Sequence, residues 1–233
     1  MTTININLES VRKRIAQACA AAGRQSGEVA LLAVSKTFGP DDLVQAYGSG
    51  QRAFGENYIQ EAVEKMTALA ELDIEWHCIG PIQSNKTRLV AEHFDWVHTV
   101  DRLKTAERLS QQRPANLAPL QVCLQVNIDA GANKSGATPS EVLQLAQAVA
   151  GLDQLKLRGL MCIPEPAIDF EAQCALFKRA EGLFHDLNAR GMGMDTLSMG
   201  MTADLEAAIH CGSTMVRVGT AIFGGRPAFP TAR

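Results

Sequence analysis

Alternation is the feature that most constrains this chain. Eight short apolar runs recur along its 233 residues, and each leads into a segment with helical or turn signals. The runs cover 29–34, 52–57, 75–80, 96–100, 120–128, 157–163, 196–201 and 215–223. Between them, helical patterns are expected over 41–47, 58–72, 84–94, 103–112, 138–151, 170–189 and 202–209. A strand followed by a helix and another strand returns parallel to the first, so the whole series builds βαβ units. An amphipathic helix over 7–23 precedes them, with Leu8, Val11, Ile15 and Ala18 on one face and Gly23 at its end. A count of eight predicts an α/β protein of one domain: a (β/α)8 TIM barrel with an extra N-terminal helix. An open doubly wound sheet with a dinucleotide fold is the runner-up, and it lacks a G-x-G-x-x-G after any strand.

Local signals punctuate the pattern. Thr138-Pro139-Ser140-Glu141 has the form of a capping box with proline at the first helical position, and Ser84 and Thr202 are expected N-caps. Hydrophobic residues make up 46% of the chain, enough for a sizeable core, and charged residues 20%. Twenty-two basic against 25 acidic residues leave a formal charge of -3 with no basic run, so nucleic acid is not an expected partner. No stretch is long and apolar enough to span a membrane. The six cysteines show no C-x-x-C or zinc spacing and read as reduced, mostly buried thiols. His77 and Cys78 are adjacent on a strand and point to opposite faces, so no metal site is expected. The polar opening Met1-Thr2-Thr3-Ile4-Asn5 lacks the core of a secretion signal, and a cytoplasmic protein is expected. With no heptad run or apolar dimer stripe, the expected state is a monomer.

In a barrel, chemistry gathers where strands end. Lys36 closes the first run, Leu31-Leu32-Ala33-Val34-Ser35-Lys36-Thr37. A desolvated lysine there favours the neutral amine, which attacks aldehydes; a lysine capping the strand or pairing with a carboxylate is the structural alternative. Arg217 lies in Val216-Arg217-Val218, so alternation puts it on the face opposite its valine neighbours. If the valines face the helices, its guanidinium points into the barrel mouth. There it needs an acceptor: a pyridine nitrogen, a carboxylate, a phosphate or, structurally, Glu56. Ser198 and the Gly219-Thr220 pair, after the seventh and eighth runs, suit an anion or merely a tight packing point. Asn57 ends the second run. No G-x-S-x-G nucleophile elbow occurs.

Taken together, these residues resemble one family. Besides the Lys36 run they include Phe54-Gly55-Glu56-Asn57-Tyr58, His77-Cys78-Ile79-Gly80-Pro81-Ile82-Gln83-Ser84-Asn85-Lys86 and Asn133-Lys134-Ser135-Gly136. Arg158-Gly159-Leu160-Met161, Leu197-Ser198-Met199-Gly200-Met201 and Val216-Arg217-Val218-Gly219-Thr220-Ala221-Ile222-Phe223-Gly224 complete the set. The ordered set is similar to the YggS/PROSC family of pyridoxal-phosphate homeostasis proteins, related to the N-terminal barrel domain of alanine racemase. The resemblance implies a lysine Schiff base between Lys36 and pyridoxal 5'-phosphate (PLP). It implies that Ser198, Gly219 and Thr220 hold the phosphate, that Arg217 faces the pyridine nitrogen, and that Asn57 lies beside the cofactor. Thr202 stands where many members have serine.

An arginine cannot protonate a pyridine nitrogen, which weakens the cofactor's electron sink. Alanine racemase also uses a tyrosine from a second domain as a base, and this chain's tyrosines are Tyr47 and Tyr58 alone. The reading is therefore a non-enzymatic PLP buffer that hands cofactor to apo PLP-dependent enzymes. A PLP-dependent amino-acid racemase and a class I aldolase-like barrel are the alternatives.

Overall fold

The computed structural model describes residues 2–129, 131 and 134–225; Asn133 of the 133–136 motif and the tail after Gly225 lie outside them. Eight strands close into a barrel in chain order. They are β1 (Ala30–Val34), β2 (Ala53–Glu56), β3 (Glu75–Cys78), β4 (Trp96–Val100), β5 (Leu120–Gln125), β6 (Leu155–Met161), β7 (Thr196–Ser198) and β8 (Met215–Val218). Every neighbouring pair is parallel, and β1 closes against β8 with Leu32 opposite Arg217 and Ala33 opposite Val218.

Strand parity divides the interior. Ala33, Phe54, Val97, Val122, Leu160, Leu197, Val216 and Val218 belong to the main core between the barrel and its helices. The alternate positions face inward, where Trp96, Cys123 and Met161 form a separate cluster. Arg217 shares the inward parity of Met215, so the sequence-based condition on its valine neighbours is met.

The outer ring consists of α1 (Thr3–Ala21), α2 (Pro40–Gly48), α3 (Ile59–Ala68), α4 (Thr87–His93), α5 (Leu103–Gln112), α6 (Val142–Ala150), α7 (Phe170–Ala189), α8 (Leu205–His210) and α9 (Thr220–Phe223). The helix after β8 is a single turn, too short to cover its side of the barrel. The first helix fills that gap, packing against α8, α9 and α2. Leu8, Val11 and Ile15 are buried on its inner face, as the periodicity predicts. Asn7 Nδ2 donates to the Ile222 carbonyl at 2.9 Å, and Arg14 grips Glu206 with Nε and Nη2 at 3.0 and 2.8 Å. The N-terminal helix is thus a member of the ring rather than an appendage.

Several expected boundaries move. The last strand stops at Val218, because Gly219 turns the chain and its carbonyl accepts the N–H groups of Ile222 (2.8 Å) and Phe223 (3.0 Å). Phe223 then stacks on Phe38, 5.0 Å between centroids, across the exit of β1. The seventh strand ends at Ser198, since Gly200 adopts φ 95°. Thr202 is not a cap: α8 begins three residues later, after Asp204 accepts the Met201 N–H at 2.6 Å. Likewise α4 starts beyond Ser84, at Thr87. Glu141 does reach back to the Thr138 N–H (3.1 Å), but the helix it precedes starts at Val142 rather than at Pro139.

Candidate functional site

The residues singled out from sequence converge on four adjacent strands, β7, β8, β1 and β2, at their carboxyl ends. Lys36 lies half-buried in a turn two residues past the end of β1. The next residue, Thr37, has φ 69°, the one positive φ at a non-glycine among the described residues. A β-branched side chain resists that conformation, so the surroundings must impose it. They do so through charged groups on both sides of the lysine. Ser35 Oγ donates to Glu56 Oε1 at 2.6 Å. Lys65 Nζ on α3 donates to the Ser35 carbonyl (2.9 Å), Glu56 Oε1 (2.8 Å) and Glu61 Oε1 (2.6 Å). Glu61 Oε1 also accepts the Thr37 N–H at 2.7 Å. The backbone before and after Lys36 is therefore tied to one buried cluster. Burial pushes the Glu56 carboxyl upward, and Lys65 opposes that.

Asn57 follows β2 directly. Its Oδ1 and the Oγ1 of Thr37 are buried acceptors with no hydrogen-bond partner among the described residues. Such atoms in a native site ask for a ligand or water. A cavity of about 490 Å³ lies beside Asn57, lined also by Tyr58, Pro81, Gln83 and Lys86. Gly80 permits the end of β3 to approach, since a Cβ there would collide with the Asn57 backbone.

Arg217 is 4% exposed, and burial lowers its pKa without removing its charge. Its Nη1 donates to the carbonyl (2.7 Å) and hydroxyl (2.8 Å) of Ser198, and Nη2 to the Cys162 carbonyl (3.0 Å). These acceptors tie β8 to β7 and β6. The structural alternative, a pair with Glu56, is not formed: Glu56 belongs to Lys65. Among the described residues three of the five guanidinium N–H groups are used, which leaves Nε–H and one Nη2–H for a further acceptor. Gly219 sits against the end of β1, where a Cβ would lie 3.1 Å from the Val34 carbonyl. Thr220 beside it is exposed.

Ser198 is fully buried, and its Oγ also lies 3.0 Å from His98 Nδ1. His98 Nε2 is 2.9 Å from His77 Nδ1, and His77 Nε2 is 2.8 Å from Glu75 Oε1. These two histidines, with Thr37 and Lys65, were not singled out from sequence for this site. Inward parity on β3 and β4 was the available signal for the histidines; the long-range contacts of Lys65 left none. All six cysteines are buried and unpaired, as expected. No described helix is long and apolar enough to cross a membrane.

Comparison with known proteins follows the same lines. Residues 6–227 match the model of the alanine racemase N-terminal domain. The chain is 57% identical over 226 residues to the pyridoxal phosphate homeostasis protein of Pseudomonas aeruginosa, covering 97% of each. It is 52% identical over 229 residues to the protein of that name from Escherichia coli (strain K12), covering 97% of this chain and 98% of the relative. Among solved structures, PipY of Synechococcus elongatus with PLP bound superimposes with a TM-score of 0.83 at 35% identity, over 95% of this chain and all of that one. Alanine racemase from Corynebacterium glutamicum, at 17% identity and a TM-score of 0.67, shares the fold. With nearly its whole length matched, this chain belongs to the pyridoxal phosphate homeostasis proteins, a family built on the alanine racemase N-terminal barrel.

Proposed function

We propose that the chain binds PLP as a Schiff base on Lys36 and acts as an intracellular reservoir. It passes the cofactor to apo PLP-dependent enzymes without turning over a substrate. The observation that carries this reading is Arg217: a buried cation on the barrel's inner face, held by carbonyls and a hydroxyl, with two N–H groups to spare among the described residues, beside the strand that leads into Lys36. The unpartnered acceptors of Asn57 and Thr37 at the neighbouring strand ends fit the same ligand. Homologues named for PLP homeostasis and a PLP-bound relative support it.

When bound, PLP supplies an aldehyde for the lysine and an electron-withdrawing ring. The chain's own residues do the rest. The Glu56–Lys65–Glu61 cluster holds the turn that presents the Lys36 amine, and Asn57 flanks it. Gly219 and Thr220 adjoin the same strand end and are proposed to face the phosphate. Arg217 would hold the ring nitrogen by a hydrogen bond and could not protonate it, so the site would favour retention of the cofactor over carbanion chemistry. A second base is not evident: Tyr47 lies under the Arg52 guanidinium at 3.7 Å. Tyr58 is exposed beside the Asn57 cavity, and it keeps racemization a measurable alternative.

The deciding experiment is a visible spectrum of the purified protein followed by borohydride reduction and peptide mass mapping. A yellow protein with a pyridoxyl mass on Lys36, and no turnover of amino acids, is expected. Lys36→Ala removes the adduct; its persistence at another lysine would overturn the assignment. Racemization of an amino acid at enzymatic rates would replace the reservoir with an enzyme.

A further inference from the structure

A run of side chains crosses the barrel interior from one end to the other. It begins at Glu75, the first residue of β3, at the amino end of the strands, and continues through His77, His98 and Ser198 to Arg217. The four successive separations are 2.8, 2.9, 3.0 and 2.8 Å. Both histidines are completely buried, and so is Ser198. Glu75 is half-exposed at the rim of a second cavity, about 360 Å³, which Asp95, Trp96, Arg113 and Arg158 also line. Trp96 stacks on His77 at 5.3 Å between ring centroids, and the Arg158 guanidinium caps Trp96 at 4.6 Å. The rings are thus locked in orientation by packing as well as by hydrogen bonds.

The two ends of the run determine its direction. Arg217 has only hydrogens to give, and an ionised carboxylate has only lone pairs. The hydrogen bond from His77 holds the Glu75 carboxyl below the usual range, so it is ionised and accepts. Burial holds both imidazoles neutral, each with one N–H and one bare nitrogen. His77 must then give its Nε2–H to Glu75 and accept at Nδ1. His98 must give its Nε2–H to His77 and accept at Nδ1. That leaves the Ser198 hydroxyl hydrogen committed to His98, while its lone pairs receive Arg217. Every member donates toward Glu75.

We propose that Ser198, His98 and His77 are positioning residues that act through Arg217, orienting its guanidinium for the ring of the bound cofactor, with Glu75 as the terminal acceptor that sets the direction. The proposal rests on the PLP reading for the identity of the ring. It also changes the part played by Ser198. A hydroxyl whose one hydrogen is given to His98 has none for a phosphate, so its contribution is to the arginine. The phosphate is then left to groups at the barrel mouth such as Gly219 and Thr220.

Two measurements test this. The first needs no cofactor: nitrogen-15 NMR of the imidazoles in the full chain at neutral pH. Both His77 and His98 are expected as neutral Nε2–H tautomers. An Nδ1–H tautomer or an imidazolium at either position overturns the chain, whatever the ligand proves to be. The second compares His98→Leu with His98→Gln, which retains an acceptor and a donor. With PLP loaded, His98→Leu is expected to shift the visible band and to release cofactor roughly five- to tenfold faster, the size of one lost hydrogen bond. His98→Gln is expected to restore both toward wild type. A folded His98→Leu with the wild-type band and release rate overturns the positioning role. Should that variant not fold, Ser198→Ala is read in the same way, with Ser198→Thr as its rescue. A wild-type protein that takes up no PLP defeats the cofactor reading, while the tautomers still decide the chain.

Discussion

Arg217 and Lys65 solve the same problem, a buried cation, in opposite ways. Lys65 is neutralised by Glu56 and Glu61, whereas Arg217 is surrounded by neutral acceptors and keeps donors in reserve. A lysine with matched carboxylates supports the fold; an arginine without one is what the proposed ligand role of Arg217 calls for. Removing Lys65 while leaving Glu56 buried is expected to cost about 3–5 kcal/mol in Lys65→Met, read from urea denaturation midpoints. Without Lys65, Glu56 has its pKa raised further by burial and the nearby Glu61 charge, opposed only by the Ser35 hydrogen bond. Its penalty is greatest at neutral pH and shrinks as acid protonates it; a deficit that does not shrink would show that Lys65 acts by packing alone. At Arg217 the expected effect is electronic. Arg217→Glu places a carboxyl where the guanidinium stood, which protonates the ring nitrogen and shifts the absorption of bound PLP. An unchanged spectrum with cofactor retained would place the ring elsewhere.

Among the elements, the short connections between strand ends and helices carry the site. Glycine marks two of them: Gly200 at φ 95° turns β7 toward α8, and Gly80 brings the end of β3 against Asn57. Gly80→Ala is expected to push these backbones apart at a cost of about 1–3 kcal/mol, with loss of PLP retention, both measurable on the loaded protein. Wild-type retention in the variant would show that the β2 exit can move freely. These connections are also where the sequence reading erred. Thr202, Ser84 and Thr138 carry the right cap chemistry, yet α8, α4 and α6 begin only at Leu205, Thr87 and Val142. A cap residue offers one hydrogen bond, and the strand that enters the loop decides whether the chain can use it there. The pattern of 215–223 predicts one strand, since Thr220–Phe223 is apolar enough for either structure, yet β8 ends at Val218. Packing of Ile222 into the core and of Phe223 on Phe38 selects the helical turn.

For the whole molecule, closure depends on the first helix standing in for the one-turn helix after β8. Leu8 is fully buried on that helix, and Leu8→Ala is expected to cost about 2–5 kcal/mol by thermal or urea unfolding. A loss below 1 kcal/mol would make the helix peripheral. The buried histidines give the fold a pH dependence of defined sign. Both are held below the ordinary histidine pKa of about 6.5 by burial, so the unfolded chain binds protons that the folded chain refuses. Their contribution is complete above that value and is lost as pH falls below it. Stability should therefore fall more steeply with acid in wild type than in His98→Gln, and equal slopes would show that His98 titrates normally.

Sequence alone determined the barrel, its N-terminal helix and the family. Strand and helix periodicities, and an ordered set of motifs, are local properties written along the chain. It also placed Lys36, Asn57, Ser198, Arg217, Gly219 and Thr220 at strand ends, because in a parallel barrel chain order dictates which ends are neighbours. Tertiary structure alone decided the partners. Glu56 meets Lys65 rather than Arg217, Thr37 is forced to a positive φ, and Glu75, His77 and His98 line up behind Ser198. Those contacts join residues up to 100 positions apart through a closed interior. Hydrogen-bond geometry across such distances depends on strand register and barrel closure, which no local pattern records.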